Sequence, residues 1–403
     1  MNIIVIGGGA AGFFTAINAA QLNKNTTVTL LEKSSKLLSK VRISGGGRCN
    51  VTNACFDNSV LVKNYPRGEK ELHNVFSRFN TKDTIEWFKQ RGVELKTETD
   101  GRMFPITDSS QTIINCLMDE AKLAGVNIKL NVDIKEIKKS TTDFMLTSSD
   151  GSNFYCDKLI IAAGGNANST AYEWIKKLGH TIIKPVPSLF TFNIPNNNIT
   201  QLMGISSPWA KVKIKQAKLE IEGPLLITHW GMSGPAILKA SAWGARTLSD
   251  TNYDFTINIS WLPKFTDEKL KIEFVTFKEE LATKLIVSTY PFELPKRLWE
   301  YFTEKAGINK NMRWADLSKK IVIALINIML NDEYVVKGKT TFKEEFVTCG
   351  GIHLKEIDFK TMQSKVIPNL FFVGEILNID GVTGGFNFQN AWSTGWVAAQ
   401  ALS

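Results

Sequence analysis

The residues Gly7-Gly8-Gly9-Ala10-Ala11-Gly12 place glycine at the first, third and sixth positions of a G-x-G-x-x-G pattern. Each of those glycines meets a separate chemical need. Gly7 permits a tight turn, Gly9 lets backbone N–H groups approach a pyrophosphate, and Gly12 lets a helix pack closely on a strand. An anion held there sits at the positive end of that helix. Glu32 follows Gly12 by 20 residues, the spacing at which a carboxylate accepts hydrogen bonds from a ribose. The glycines with their acidic partner point to a dinucleotide, without separating FAD from NAD.

A second glycine turn lies at the far end of the chain. Gly374-Glu375 ends an apolar run, and Asp380-Gly381-Val382-Thr383-Gly384-Gly385-Phe386-Asn387-Phe388-Gln389 leads into a final helical pattern. Binding NAD needs no such turn. FAD makes use of one, because N–H groups at a helix start can face the flavin N1–C2=O edge, where negative charge gathers on reduction. Between the two turns stands Ile43–Asn53, with the run Ser44-Gly45-Gly46-Gly47-Arg48-Cys49-Asn50. Three successive glycines cost backbone entropy and pack nothing. They read as backbone passing close to a ligand, with Arg48 available to a phosphate.

These residues need a scaffold. Asn2–Ile6 reads as a buried parallel strand, Ala10–Leu22 as a helix and Thr27–Leu31 as a second strand, a βαβ opening. Glu69–Phe79 and Thr81–Arg91 carry amphipathic helical patterns, and Asp108 reads as the N-cap of a helix over Ser109–Ala124. Short alternating runs from Ile128 to Cys156, turning at Asp150-Gly151, predict an antiparallel meander. It precedes a continuous apolar strand, Lys158–Ala163, closed by Gly164-Gly165. Pro185 and Pro187 mark a boundary. Beyond it, Ser188–Trp261 predicts mostly strand, Thr266–Asn331 is helical in period, and strand-like segments return at Tyr334–Cys349. Leu370–Val373 then reads as strand and Asn387–Leu402 as helix, both with the character of the first domain. The fold class is α/β: a discontinuous FAD-binding Rossmann-like domain over 1–187 and 350–403, an inserted β-domain over 188–264 and 333–349, and a small helical subdomain over 265–332.

Ser44–Asn53, the turn Ala162-Ala163-Gly164-Gly165, the segment Thr228-His229-Trp230-Gly231-Met232-Ser233-Gly234-Pro235-Ala236 and Gly374–Gln389 together resemble the BaiN/RdsA-type (YhiN-like) flavoproteins, in order from residue 1 to 403. Two departures are small: Ala162-Ala163 stands where Ala-Thr is commoner, and Cys349 precedes Gly350-Gly351 at a variable position. The resemblance implies a two-dinucleotide-binding-type FAD fold whose insert is a β-barrel carrying the helical part. It implies cofactor contacts from Gly7, Gly9, Ala10, Ala11, Gly12, Glu32 and Lys33, and from Ser44, Gly46, Gly47, Arg48, Cys49, Asn50 and Val132. Ala163, Gly164, Gly374, Glu375, Gly384, Gly385, Phe386, Asn387 and Ala391 complete that set. Members of the family are associated with reduction of carbon–carbon double bonds, including dihydrouridine formation in ribosomal RNA, and with bile-acid transformations; some relatives are described as aminoacetone oxidases.

Reducing a uracil C5=C6 bond needs hydride from flavin N5 and a proton from a general acid. Cys49 and His229 are the catalytic candidates, and Arg48 beside Cys49 is expected to lower the thiol pKa. A second G-x-G-x-x-G is absent from the sequence, so NADH or NADPH is expected to visit the flavin transiently as electron donor. For RNA, Lys211, Lys213 and Lys215 alternate so that a strand would present all three on one face. Lys296, Arg297, Trp299, Arg313 and Trp314 add basic and aromatic groups. Against an RNA reading, residues 187–349 hold 21 Lys and Arg against 17 Asp and Glu, which is no concentrated basic domain. Ribosomal RNA and a small molecule both stay open as substrates. A small-molecule oxidase and an FAD-containing RNA-binding protein without turnover are the other readings.

The net charge of +9 permits an anionic partner, and a Lys- and Asn-rich composition accounts for it equally well. No apolar run is long enough for a bilayer, and Ile3–Ile6 lacks the basic flank of a signal peptide. Five scattered cysteines without a C-x-x-C pair indicate neither a disulfide framework nor a metal site. The cytosol is the expected compartment; nothing in the sequence specifies an oligomeric state.

Overall fold

The computed structural model describes residues 1–22, 25–340 and 347–402. The chain divides into two compact units, Met1–Ser188 with Phe342–Ser403 and Leu189–Thr341.

The first unit is built on a seven-stranded sheet in the order Ile357–Asp358, Gln363–Ser364, Leu370–Phe372, Lys158–Ile161, Asn2–Ile6, Thr27–Leu31, Asn127–Lys129. The last five run parallel; Val5 pairs with Ile160 on one side and Leu30 on the other. Strands buried on both faces must be apolar throughout, which is why these segments show runs rather than alternation. Parallel strands also end at one edge. The residues that follow them, Gly7, Glu32, Ala162 and Val373-Gly374, therefore converge at the carboxyl edge of the sheet, where ligands of such folds bind.

The helix Ala10–Leu22 is buried on nearly every side, from Ala11 to Ala19, which explains its apolar character all round. The final helix, Phe386–Gln400, packs against it. Gly395 makes that approach possible: a Cβ there would lie 2.9 Å from the Thr15 hydroxyl and 3.2 Å from the Ala11 carbonyl oxygen. The antiparallel meander is present as Ile134–Lys139, Phe144–Ser148 and Asn153–Cys156, with Asp150-Gly151 turning between the last two. A small sheet of Thr52–Asn53, Arg102–Pro105 and Leu95–Thr97 stands beside the glycine-rich segment.

The second unit holds a seven-stranded antiparallel sheet, in the order Asp332–Lys337, Asp254–Ser260, Ser206–Ile214, Leu219–Thr228, Gly231–Ser233, Thr191–Asn193, Lys339–Thr340. The helices Asp267–Glu280, Lys296–Lys305 and Lys319–Asn331 share its apolar core.

Two local expectations need correction, while the expected boundary at Pro185 and Pro187 falls just after them, between Ser188 and Leu189. The stretch Ser188–Trp261 is not mostly strand after Ser233: Pro235–Trp243 and Ala245–Asp250 are helices. Pro235 takes the first helical position, where a missing N–H costs nothing, and the alanines that follow favour a helix. Asp108 is not the cap of the helix Ser110–Leu123; Ser109 caps it, accepting from the Gln111 N–H. Asp108 is left-handed (φ 52°) and its carboxylate is drawn to Lys96 and Arg48. Pro185 and Pro187 lie inside the strand Ile182–Ser188, which pairs with Val347–Ile352 through a register shift between Ile183 and Val186. A short two-stranded pairing with a register shift suits residues without an N–H. Part of the strand-like stretch Tyr334–Cys349 falls at 341–346, outside the described residues.

Candidate functional site

At the carboxyl edge, Gly7 has φ 113°, and a Cβ there would lie 2.3 Å from the Ala162 carbonyl oxygen. At Gly12 a Cβ would come within 1.9 Å of the Gly7 oxygen. These two glycines are thus required by packing alone. Gly9 differs, because a Cβ there meets nothing within 4 Å. It opens the helix Ala10–Leu22, whose first-turn N–H groups have no intrahelical acceptor. The Glu32 carboxylate accepts from the Gly8 N–H (2.8 Å) and from both the N–H and hydroxyl of Ser34 (2.9 and 2.8 Å). Val132 donates its N–H to the Glu32 carbonyl (2.9 Å), and Lys33 is exposed beside it.

The second glycine turn is fastened to the Asn50–Asn53 segment. The Asn50 amide nitrogen donates to the Thr52 carbonyl (3.0 Å) and its oxygen accepts from the Gly385 N–H (2.9 Å). Asn53 donates to the Gly384 carbonyl (3.0 Å). Inside, the Thr52 and Thr84 hydroxyls donate to the Gln389 amide oxygen (2.5 and 3.0 Å). The Asn387 amide clamps Gly381, accepting from its N–H and donating to its carbonyl (2.9 Å each), while Tyr65 donates to the Phe386 carbonyl (2.7 Å). Asp380 is fully buried; desolvation raises its pKa, and Arg67 and Ser188 donate to it (Arg67 Nε at 2.6 Å, Ser188 Oγ at 2.8 Å).

Gly374 joins the two ends of the chain. Its N–H donates to the Thr394 hydroxyl (2.9 Å), and a Cβ on it would lie 2.8 Å from that of Ala11. Glu375 pairs with Lys40 (2.5 Å) and accepts from the Thr348 N–H (2.9 Å). Ala163 is exposed, Gly164 has φ 71° with open space around it, and Ala391 is buried on the last helix.

The Ser44–Asn50 segment is a chain of left-handed residues. Gly45, Gly46, Gly47 and Cys49 have φ of 59°, 70°, 85° and 61°. Gly46 and Gly47 are exposed, and a Cβ on either would meet nothing within 4 Å. Arg48 pairs with Glu98 (2.6 Å) and Asp108 (3.5 Å) and lies 3.9 Å over the Phe104 ring. Cys49 is fully buried, and its thiol is pushed up to about 12 by desolvation. The expectation of a lowered thiol pKa is thereby reversed: burial disfavours the thiolate.

His229 belongs to the other unit. It is exposed in the turn between Leu219–Thr228 and Gly231–Ser233, its ring 3.8 Å from that of Trp230. On the same sheet Lys211 and Lys213 lie on one strand, but each is paired, with Glu222 (2.8 Å) and Glu220 (3.0 Å); Lys215 falls beyond the strand end at Ile214. Trp299 and Trp314 are fully buried and stack on each other at 6.3 Å and 11°, so neither ring is available to a nucleobase.

The arrangement fits a dinucleotide. Gly9, Gly46, Gly47 and Gly164 leave backbone facing open space, and the buried Thr348 hydroxyl, beside Gly165 and Glu375, has no hydrogen-bond partner among the described residues. Thr348, Lys40, Glu98, Phe104 and Gln389 were not foreseen; their partners are distant in sequence and no spacing announces them. Among the described residues no helix is long and apolar enough to cross a membrane, and no group of three or more His, Cys, Asp or Glu could hold a metal ion.

Known proteins give the same picture. A family model described as the HI0933-like protein Rossmann domain matches residues 1–401. A ribosomal RNA dihydrouridine synthase of Haemophilus influenzae is 30% identical over 99% of this chain and 98% of its own length. A 3-dehydro-bile acid delta(4,6)-reductase of Clostridium scindens is 27% identical over 100% and 99%. Among solved structures, a 3-ketosteroid-delta4-(5alpha)-dehydrogenase from Rhodococcus jostii RHA1 is 12% identical with a TM-score of 0.52, covering 98% of this chain and 96% of that one. That last likeness is one of fold.

Proposed function

The chain belongs to the HI0933-like Rossmann family, and we propose that it is an FAD-dependent oxidoreductase that reduces a carbon–carbon double bond, with uridine in ribosomal RNA as the leading substrate and NAD(P)H as electron donor. The observation that carries this reading is the joining of two glycine turns within one unit. The Gly7–Gly12 turn and the Gly381–Asn387 turn each open a long helix, and those helices pack on each other.

Bound FAD would supply a two-electron carrier able to pass hydride to an electron-poor carbon. The chain's own residues do the rest. N–H groups of Gly9, Ala10 and Ala11 would hold the pyrophosphate, and Glu32 the adenosine ribose. Lys33, Val132, Ala163, Gly164, Gly374, Glu375 and Ala391 would line the remainder, with Ser44, Gly46, Gly47 and Asn50 passing over the ring. The start of the last helix, at Gly384–Asn387, would stabilise negative charge on it. Cys49 and His229 are the candidate proton donors; desolvation keeps the Cys49 thiol protonated. The insert is read as a β-barrel that carries a helical subdomain, a reading supported by its antiparallel strand order.

A second reading, a small-molecule substrate, draws on the paired lysines and buried tryptophans of the inserted unit. The bile-acid reductase relative is consistent with it. Mass analysis of ribosomal RNA from a deletion strain decides between them: loss of one dihydrouridine is expected, and an unchanged set removes the RNA proposal. Anaerobic mixing with NADH or NADPH should bleach the flavin; bleaching by an amine alone would mark an oxidase instead.

A further inference from the structure

We propose that Arg48 is a positioning residue that latches the Ser44–Asn50 loop to the hairpin Leu95–Pro105, rather than a ligand of the cofactor's phosphates. The inference rests on the FAD reading above for its consequence, though not for its geometry. Residues 45, 46, 47 and 49 all have left-handed backbones. The Cys49 N–H donates to the Ser44 carbonyl (2.9 Å), which closes the run on itself without tying it to the hairpin. Three anchors hold it to the hairpin. On its N-terminal side Gly45 lies against Phe104, where a Cβ would come within 2.7 Å of the ring. On its C-terminal side Val51 donates to the Met103 carbonyl (2.9 Å) and Thr52 pairs with Met103 in the small sheet.

The third anchor, in the middle, is Arg48. Its guanidinium carbon lies 3.9 Å from the centre of the Phe104 ring, and the group donates from Nη1 to Glu98 (2.6 Å) and weakly from Nε to the Gly45 carbonyl (3.4 Å). Asp108 stands 3.5 Å away. The two acids are themselves fixed: Glu98 by Arg102 (2.9 Å), and Asp108 by Lys96. A guanidinium already held by two carboxylates and an aromatic face has its charge offset and its orientation fixed toward the hairpin. The loop therefore turns its charged side chain to the hairpin. What it leaves toward open space is the glycine backbone of Gly46 and Gly47.

The two roles for Arg48 predict opposite outcomes at Glu98, which lies outside the proposed set of cofactor contacts. FAD is titrated into the apoprotein and followed by flavin fluorescence, for wild type, Glu98→Gln, Arg48→Met, Arg48→Lys and the double variant. A latch predicts that E98Q weakens FAD binding about tenfold, that R48M adds little on top of it, and that R48K recovers part of the loss. A phosphate ligand predicts that E98Q, by freeing Arg48, leaves binding unchanged or tighter, and that result overturns the proposal. Hydrogen exchange of the Gly45–Cys49 amides in the ligand-free chain tests the latch without any cofactor. Exchange about tenfold faster in E98Q and R48M is expected, at thermal midpoints that show both variants folded. Unchanged exchange overturns the latch. Fast exchange together with no FAD binding by wild type would leave the latch standing and remove the cofactor reading instead.

Discussion

Proton donation is where single residues can be told apart. Cys49 has no exposed surface and a thiol raised to about 12, whereas an efficient general acid titrates near the operating pH. The other proposed proton donor, His229, is exposed. His229→Gln should therefore slow substrate reduction about a hundredfold while leaving flavin reduction by NAD(P)H unaltered, and Cys49→Ala should change both only a few-fold. Single-turnover kinetics of the two half-reactions checks this; a large loss in C49A alone would return the role to the thiol. The sequence makes Gly7, Gly12 and Glu32 legible because their need is local, a turn or a fixed spacing along βαβ. It leaves the state of Cys49 illegible, because that depends on how completely the fold buries the thiol.

Helices and strands are held to one another by a few contacts that a single atom would break. Gly385 has φ 94°, and a Cβ there would lie 2.4 Å from the Thr52 carbonyl oxygen. Gly385→Ala combines a left-handed backbone with a clash at the start of the last helix, and should cost roughly 2–5 kcal/mol in denaturant unfolding. The Arg67–Asp380 pair is the second such contact. Arg67→Met leaves a buried carboxylate with Ser188 as its remaining neutral donor, and should cost about 3–5 kcal/mol; R67M combined with Asp380→Asn should recover part of that, because no buried charge remains. Equal losses in the single and double variants would show that shape, not charge, sets the cost. At this scale the sequence is readable where periodicity is long, as at Ala10–Leu22 and across the parallel strands. It misleads at Pro235–Trp243, where apolar residues that serve a helix also satisfy an alternating pattern.

Across the whole molecule, pH and salt probe features distributed over the chain. Cys49, Cys116 and Cys156 each have thiols raised by burial from 9.0 to about 12. The folded state keeps these thiols neutral while the unfolded chain ionises them. Their contribution is intact below pH 9 and falls away as pH rises from 9 toward 12. Urea midpoints should drop over that range, and less in a triple Cys→Ala variant; equal slopes would remove the thiols as the cause. Salt dependence bears on the substrate. The net charge of +9 suggests a basic surface, yet Lys211 and Lys213 are paired with Glu222 and Glu220, and pairing is a property of two strands that composition does not reveal. Each phosphate a protein neutralises steepens the fall of log K with log salt by about 0.7 to 0.9. Were RNA read mainly through this lysine ladder, its pairing should hold the slope no steeper than about −3. Glu220→Gln with Glu222→Gln should steepen it by about one to two, because two lysines become available to phosphate. Binding of a ribosomal RNA fragment measured from 50 to 300 mM salt, on the order of the range where such contacts are lost, tests both statements. A steep slope in wild type would mean that cations other than this lysine ladder carry the RNA, and no binding at any salt would favour the small-molecule substrate.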